Sequence, residues 1–281
     1  MPARLPIAIL LPHCGLDVPR ELLGRVSLNA CDLFNEADIY TDLIYDFRDE
    51  VACWLTFPYA RAMIDVNRST GHNHSRPGDG IVKTQTSYGI PVHHPGQAPG
   101  AELEHSLIDR YWRPWHQQLA TLAADPRIRL VIDCHSMAAT GPGHYDDPGA
   151  RRPCACVANL GDHLAEPVLG RRHPTAPPAL VRDFAAELGR GLADLPTLAP
   201  ASRDVGINTP FAGGWNIWAH AGKSVFGHPP QVWLMVEVSR GLYVGPQACD
   251  SPVRPPNRPM IDNLRARLWQ AIIGLYEESG R

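Results

Sequence analysis

Two kinds of hydrophobic pattern alternate along this chain. Short, almost unbroken apolar runs lie at Ile7–Leu11, Cys53–Phe57, Leu130–Cys134, Ala155–Asn159 and Val232–Val238. Runs of this length predict buried strands. Between them lie longer stretches with apolar residues at three- and four-residue spacing, near Asp38–Val51, Leu103–Ala124, Ala179–Leu192 and Arg258–Tyr276. These predict helices. In the last, Ile261, Leu264, Leu268, Ile272 and Leu275 form one stripe. Such alternation predicts an α/β fold with a mostly parallel sheet covered by helices. Ser69–Gly100, Gly141–Pro153 and His163–Pro178 break the pattern and are rich in Gly, Pro or His. A long segment without periodicity in a compact domain is a lid, a binding loop or disordered. No internal repeat or composition shift marks a boundary, so residues 1–281 read as one domain with long loops.

Composition narrows the function classes. The net charge of −3 gives no electrostatic argument for nucleic acid or an anionic membrane. No apolar run approaches the length that spans a bilayer. Leu5–Leu11 is followed by Pro12 and His13 rather than a small-residue cleavage site, so it reads as the first strand and not as a signal peptide. Seven irregularly spaced cysteines argue against a disulfide framework and for a reducing, cytoplasmic setting. Cys154 and Cys156 are too close together for a zinc ribbon.

The candidate chemistry gathers at strand ends. His13 follows the first apolar run and His135 follows the third. Parallel sheets deliver reactive side chains beyond the carboxyl ends of their strands. Each His alone is plainly read as a strand-end residue with a satisfied hydrogen bond. Together they could share a metal ion, and catalytic zinc adds a carboxylate to such a pair. Asp38 is the candidate, with Asp42 one turn along a weaker one. At the head of a helix Asp38 could equally serve the macrodipole alone. Asp133 lies on the same side of an extended strand as His135 and could buttress it. Glu237 ends an apolar strand, where a carboxylate is costly unless compensated. It suits a proton shuttle. Asn67 and Arg68 offer an amide and a guanidinium fork to a substrate carboxylate. Arg61 could serve the substrate or a developing oxyanion.

Seven motifs follow one another along the chain, at Pro12–Gly15, Glu36–Asp38 with Ile44–Tyr45, Ala60–Arg68, Tyr111–His116, Asp133–Ser136, Asn208 with Phe211–Trp215, and Glu237 with Leu242–Tyr243, and in this order they resemble the N-formylglutamate amidohydrolase family, the deformylating step of one histidine-degradation route. The family is a branch of the zinc-carboxypeptidase-like amidohydrolases that also holds aspartoacylase and succinylglutamate desuccinylase. Pro12–Gly15 matches its Pro-His-Ser/Ala-Gly. Glu36–Asp38 with Ile44–Tyr45 resembles its Asp-Thr-Asp before a helix ending in Leu-Tyr. Ala60–Arg68 is similar to its Ser-Arg-Tyr…Asp-Leu-Asn-Arg. Tyr111–His116, Asp133–Ser136, Asn208 with Phe211–Trp215, and Glu237 with Leu242–Tyr243 follow in the family's order. The resemblance covers about residues 10 to 245. It implies an α/β three-layer sandwich of the phosphorylase/hydrolase-like kind: a central mixed, mostly parallel sheet flanked by helices, with long loops over the active site. It implies one Zn2+, or another divalent metal, held by His13, Asp38 and His135. It implies Glu237 as acid–base, with Asn67, Arg68 and Arg61 contacting carboxylate or oxyanion. The partner implied is a small N-acyl amino acid, with no nucleic acid and no membrane. Glu36, Ala62, Trp115 and Trp215 depart from the family pattern. They leave the metal-ligand positions intact and bear on which acyl amino acid is taken.

The leading expectation is metal-dependent hydrolysis of N-formyl-L-glutamate to formate and L-glutamate. A second keeps fold and metal but takes another N-acyl amino acid or a C-terminal peptide bond. A third, of another class, is an inactive module that binds metal or a partner through His72, His74, His93 and His94. A cysteine or serine hydrolase using Cys14 or Ser136 is disfavoured. Adjacent residues on an extended chain point to opposite faces, and no Gly-x-Ser-x-Gly elbow is present.

Overall fold

The computed structural model describes residues 4–71, 78–170, 172–199, 202–222 and 231–279. His72 and His74 lie outside them. In chain order the elements are β1 (Leu5–Leu11), α1 (Ala30–Glu36), α2 (Thr41–Ile44), β2 (Val51–Thr56), α3 (Ala101–Leu107) and α4 (Arg113–Ala123). There follow β3 (Leu130–Met137), β4 (Ala155–Ala158), α5 (Pro178–Leu192), β5 (Val205–Ile207), α6 (Trp215–His220), β6 (Val232–Ser239) and α7 (Arg258–Glu278).

Among the described residues six strands form one sheet, in the order β2-β1-β3-β6-β4-β5. The pairs β2–β1, β1–β3, β3–β6 and β4–β5 are parallel, and β4–β6 is antiparallel. The sheet is therefore mixed and mostly parallel. The unbroken apolar runs have their physical reason here, since both faces are covered. Ile9, Ile132 and Val236 point to one face, where they meet Phe184 of α5 and Leu268 of α7. Leu10, Val131 and Met235 point to the other, where they meet Leu119 of α4 and Ile217 of α6. Helices on both faces make the three layers.

Several predicted boundaries shift. The helix expected over Asp38–Val51 is reduced to the single turn α2. Tyr40 takes a left-handed conformation (φ 63°) just before it, which a helix cannot continue through. The longer helix lies earlier, in α1, where Asn29 caps the backbone N–H groups of Cys31 and Asp32 and Asp32 returns a bond to the Asn29 N–H. Asp38 is thus not at a helix head but in the link between α1 and α2. His135 and Ser136 lie within β3 rather than beyond it. The helix over Leu103–Ala124 is realised as α3 and α4 joined by a π turn at Ile108–Trp112. The strand β5 and the helix α6 are too short for a period to show, and pattern alone misses both. All seven cysteines are unpaired. No described helix is long and apolar enough to cross a membrane.

Candidate active site

The site forms where β1, β3 and β6 end side by side. The chain leaves β1 through Pro12–Gly15. A Cβ on Gly15 would lie 2.1 Å from the Pro58 carbonyl, so only glycine lets the turn after β1 pass the turn after β2. The Asp38 N–H donates to the His13 carbonyl at 3.0 Å, which ties the α1–α2 link to that turn. His135 rises from β3, and Glu237 is its register partner on β6. His13, Asp38 and His135 are each only 2% exposed.

Nitrogen and oxygen atoms of these three residues converge. Asp38 Oδ2 is 3.4 Å from His13 Nδ1 and 3.0 Å from His135 Nδ1. One ligand atom from each residue lies within 4.8 Å of the others. His13 Nδ1 is buried and makes no hydrogen bond among the described residues. The outer nitrogens are both held by carboxylates: His13 Nε2 by Asp65 at 2.7 Å and His135 Nε2 by Asp133 at 3.2 Å. Carboxylates behind imidazoles fix the ring and the tautomer of metal-binding histidines. The residues therefore fit a divalent ion: two imidazoles and a carboxylate converge, with outer nitrogens secured and an inner one unsatisfied. Asp42, half-buried on α2, does not join this group. Burial alone would raise the Asp38 pKa. The two imidazoles and the Arg61 guanidinium hold it well below the usual carboxylate range instead.

Glu237 faces the same cleft, which has a volume of about 420 Å³. Burial pushes its pKa up to about 7, with the Asp38 charge adding and His135 and Arg61 opposing. Arg61 reaches Asp38 at 3.4 Å and Asp65 at 3.1 Å. Arg68 also lines the cleft but is already paired, at 3.1 Å from Asp79. Asn67 serves as a clamp. Its amide nitrogen is 3.2 Å from His135 Nε2, and its oxygen accepts the Asn216 N–H at 2.8 Å. A Cβ on Gly214 would lie within 2.6 Å of three Asn67 side-chain atoms, which is why the chain is bare there.

Sequence reasoning missed a second tier of charges. Lys83, 3% exposed, lies 2.9 Å from Asp79, 3.3 Å from Asp65 and 3.6 Å from Glu36. Glu36 also accepts the Ser87 N–H and hydroxyl. The irregular segment 78–100 is thus fastened to the wall of the cleft. His93 within it is buried, not solvated, while His94 is exposed. Asp65 had a signal, a lone carboxylate among Met63, Ile64 and Val66. Asn216, which donates to Asp133 at 3.1 Å, had none. Cys14 is unsuited to nucleophilic work: burial, with Asp42 and Asp38 adding, pushes its thiol up to about 12.

Comparison with known proteins bears on the family and the fold. The family model described as N-formylglutamate amidohydrolase matches residues 5–244. The N-formylglutamate deformylase of Pseudomonas putida is 27% identical over 176 residues, which is 60% of this chain. The match spans 64% of that relative's length. The crystal structure of N-formylglutamate amidohydrolase from Ralstonia eutropha JMP134 superposes with a TM-score of 0.70 at 19% identity, covering 99% of this chain and 95% of that one. That likeness bears on the fold. With the family model matched over most of the chain, this protein belongs to the N-formylglutamate amidohydrolase family.

Proposed function

We propose that the protein hydrolyses the amide bond of an N-acyl amino acid, with N-formyl-L-glutamate giving formate and L-glutamate. The observation that carries this reading is the meeting of His13, Asp38 and His135 beside Glu237 in a cleft lined by guanidinium groups. Family membership supplies the substrate class.

A zinc ion held by His13, Asp38 and His135 would act as a Lewis acid on the amide carbonyl and acidify a water. Asp65 and Asp133 hold the two imidazoles in orientation from behind. Glu237 takes a proton from the attacking water and returns it to the leaving amine. A carboxyl group whose pKa is near 7 suits both directions of transfer. Arg61 offers positive charge where the carbonyl oxygen becomes negative. Its bonds to Asp38 and Asp65 keep it in place without reorganisation. Arg68 orients the substrate carboxylate, and Asn67, whose amide is taken up by Asn216 and Asp133, holds the wall of the cleft.

A second reading keeps the chemistry and changes the amino acid. Trp215, where the family has Tyr, stacks on Trp218 with ring centroids 4.5 Å apart, and both line the cleft. That aromatic wall supports an N-acyl amino acid with a bulkier side chain.

The test is amine release from a panel of N-formyl and N-acetyl amino acids, before and after chelation. The expected result is release from N-formyl-L-glutamate, lost in chelator and restored by Zn2+. Activity that survives complete metal removal would overturn the metal role. No amine release from any member would overturn the reaction.

A further inference from the structure

The cations around this cleft are nearly all neutralised from within the protein. Arg61 pairs with Asp38 and Asp65, and Arg68 with Asp79. Arg152 is held at two points by Asp147, at 2.7 and 2.8 Å. Arg240 is the exception. It follows β6 at the third residue after Glu237, lines the same cleft and is 5% exposed. Its Nη1 donates to the carbonyls of Asn35 and Ala37. Its Nε is buried with no partner, and no carboxylate pairs with it among the described residues. A buried charge without a counter-charge is expensive. Two carbonyl dipoles offset only part of that cost.

We infer that Arg240 receives a carboxylate of the substrate, supplying the net positive charge that the internally paired arginines do not. The assignment rests on the proposed reaction and adds a specificity residue to it. N-formyl-L-glutamate carries two carboxylates, α and γ. Arg68 and Arg240 both line the cleft, so it holds a guanidinium for each of the two carboxylates. The rival role is structural: through Ala37, Arg240 could simply hold the link that carries Asp38.

The experiment compares wild type with Arg240→Lys and Arg240→Gln on three substrates. These are N-formyl-L-glutamate, its γ-amide N-formyl-L-glutamine, and its α-amide. Losing a charge-assisted hydrogen bond to a carboxylate costs about ten- to a hundredfold in kcat/KM. The expected result is a penalty of that size on N-formyl-L-glutamate that disappears on one of the two amides. The amide that is spared identifies which carboxylate Arg240 reads. Arg240→Lys keeps the positive charge and a donor for the carbonyls, so it provides the reading if Arg240→Gln does not fold. An equal penalty on all three substrates, or a loss of bound metal in Arg240→Lys, would overturn the assignment in favour of the structural role. If wild type turns over none of the three, the proposed reaction fails instead. The Arg240 assignment is then read by calorimetry of N-formyl-L-glutamate binding to wild type and Arg240→Lys, where equal affinities would overturn it.

Discussion

Glu237 and His135 are register partners on adjacent parallel strands, so their side chains leave the same face of the sheet at the same level. The backbone ladder, not a flexible loop, sets the separation between the proposed proton shuttle and the proposed metal ligand. Glu237→Gln preserves the shape of that site and removes the proton acceptor. The expected outcome is unchanged metal content and unchanged thermal stability, with kcat lower by about 10²–10⁴. An unaltered kcat would leave Glu237 as a buried strand residue only.

The ligand assignment is tested by metal analysis of purified variants. His13→Ala and His135→Ala are expected to abolish stoichiometric metal. Asp38→Ala weakens it, whereas Asp42→Ala leaves it at the wild-type level. Asp65→Asn keeps the ligands but loosens the His13 ring, and loss of such a supporting carboxylate typically costs about 10- to 100-fold in metal affinity. A full equivalent of zinc in His13→Ala would sink the assignment.

Much of this arrangement was legible in the sequence, and the reason is local. His13, His135 and Glu237 sit at or next to apolar runs, and a run buried on both faces announces its own strand. Asp38 was found by its motif but misplaced at a helix head. Nothing in a linear pattern reveals that Tyr40 turns left-handed or that Asn29 caps an earlier helix. The buried net of Lys83, Asp79 and Glu36 was invisible for a different reason. Its members come from segments without periodicity, and only the fold brings residue 36 next to residue 83. Arg240 lies three residues after Glu237. Its want of a counter-charge is a property of three-dimensional surroundings alone.

Gly214 tests the clamp on His135. A methyl group there would enter the space of the Asn67 amide, whose oxygen accepts the Asn216 N–H and whose nitrogen donates to Asp133, the carboxylate behind His135. Gly214→Ala is expected to cost about 1–3 kcal/mol in denaturant unfolding, as overpacking generally does. It should also lower kcat/KM. Full stability and activity in this variant would mean that Asn67 moves freely.

Arg68→Lys should not be conservative, because an ammonium cannot reproduce the two parallel bonds of a guanidinium. KM for N-formyl-L-glutamate is expected to rise about ten- to a hundredfold. The effect should nearly vanish on an analogue whose carboxylates are both amidated. An equal loss on that neutral analogue would show that Arg68 acts through Asp79 and Lys83 on the cleft wall instead.

His116 gives a pH dependence that is separate from the chemistry. It is buried on α4, with Nε2 2.9 Å from the Val66 carbonyl and Nδ1 2.8 Å from His220 Nε2. It thereby steadies the backbone just before Asn67. Burial lowers its pKa from 6.5 to about 4, against the opposing Val66 bond and Asp133 charge. The unfolded chain therefore takes up a proton near 6.5 that the folded protein refuses until about 4. Stability from this group is fully present above 6.5 and is lost as pH falls toward 4. In His116→Asn that loss is absent. The difference in unfolding free energy between wild type and variant, measured by urea titration at several pH values, should shrink between pH 6.5 and 4. Below about 4 both states of His116 are protonated and the difference should level off. A difference that stays constant across that window would mean that His116 titrates alike in the folded and unfolded chain, and that burial does not keep its ring neutral.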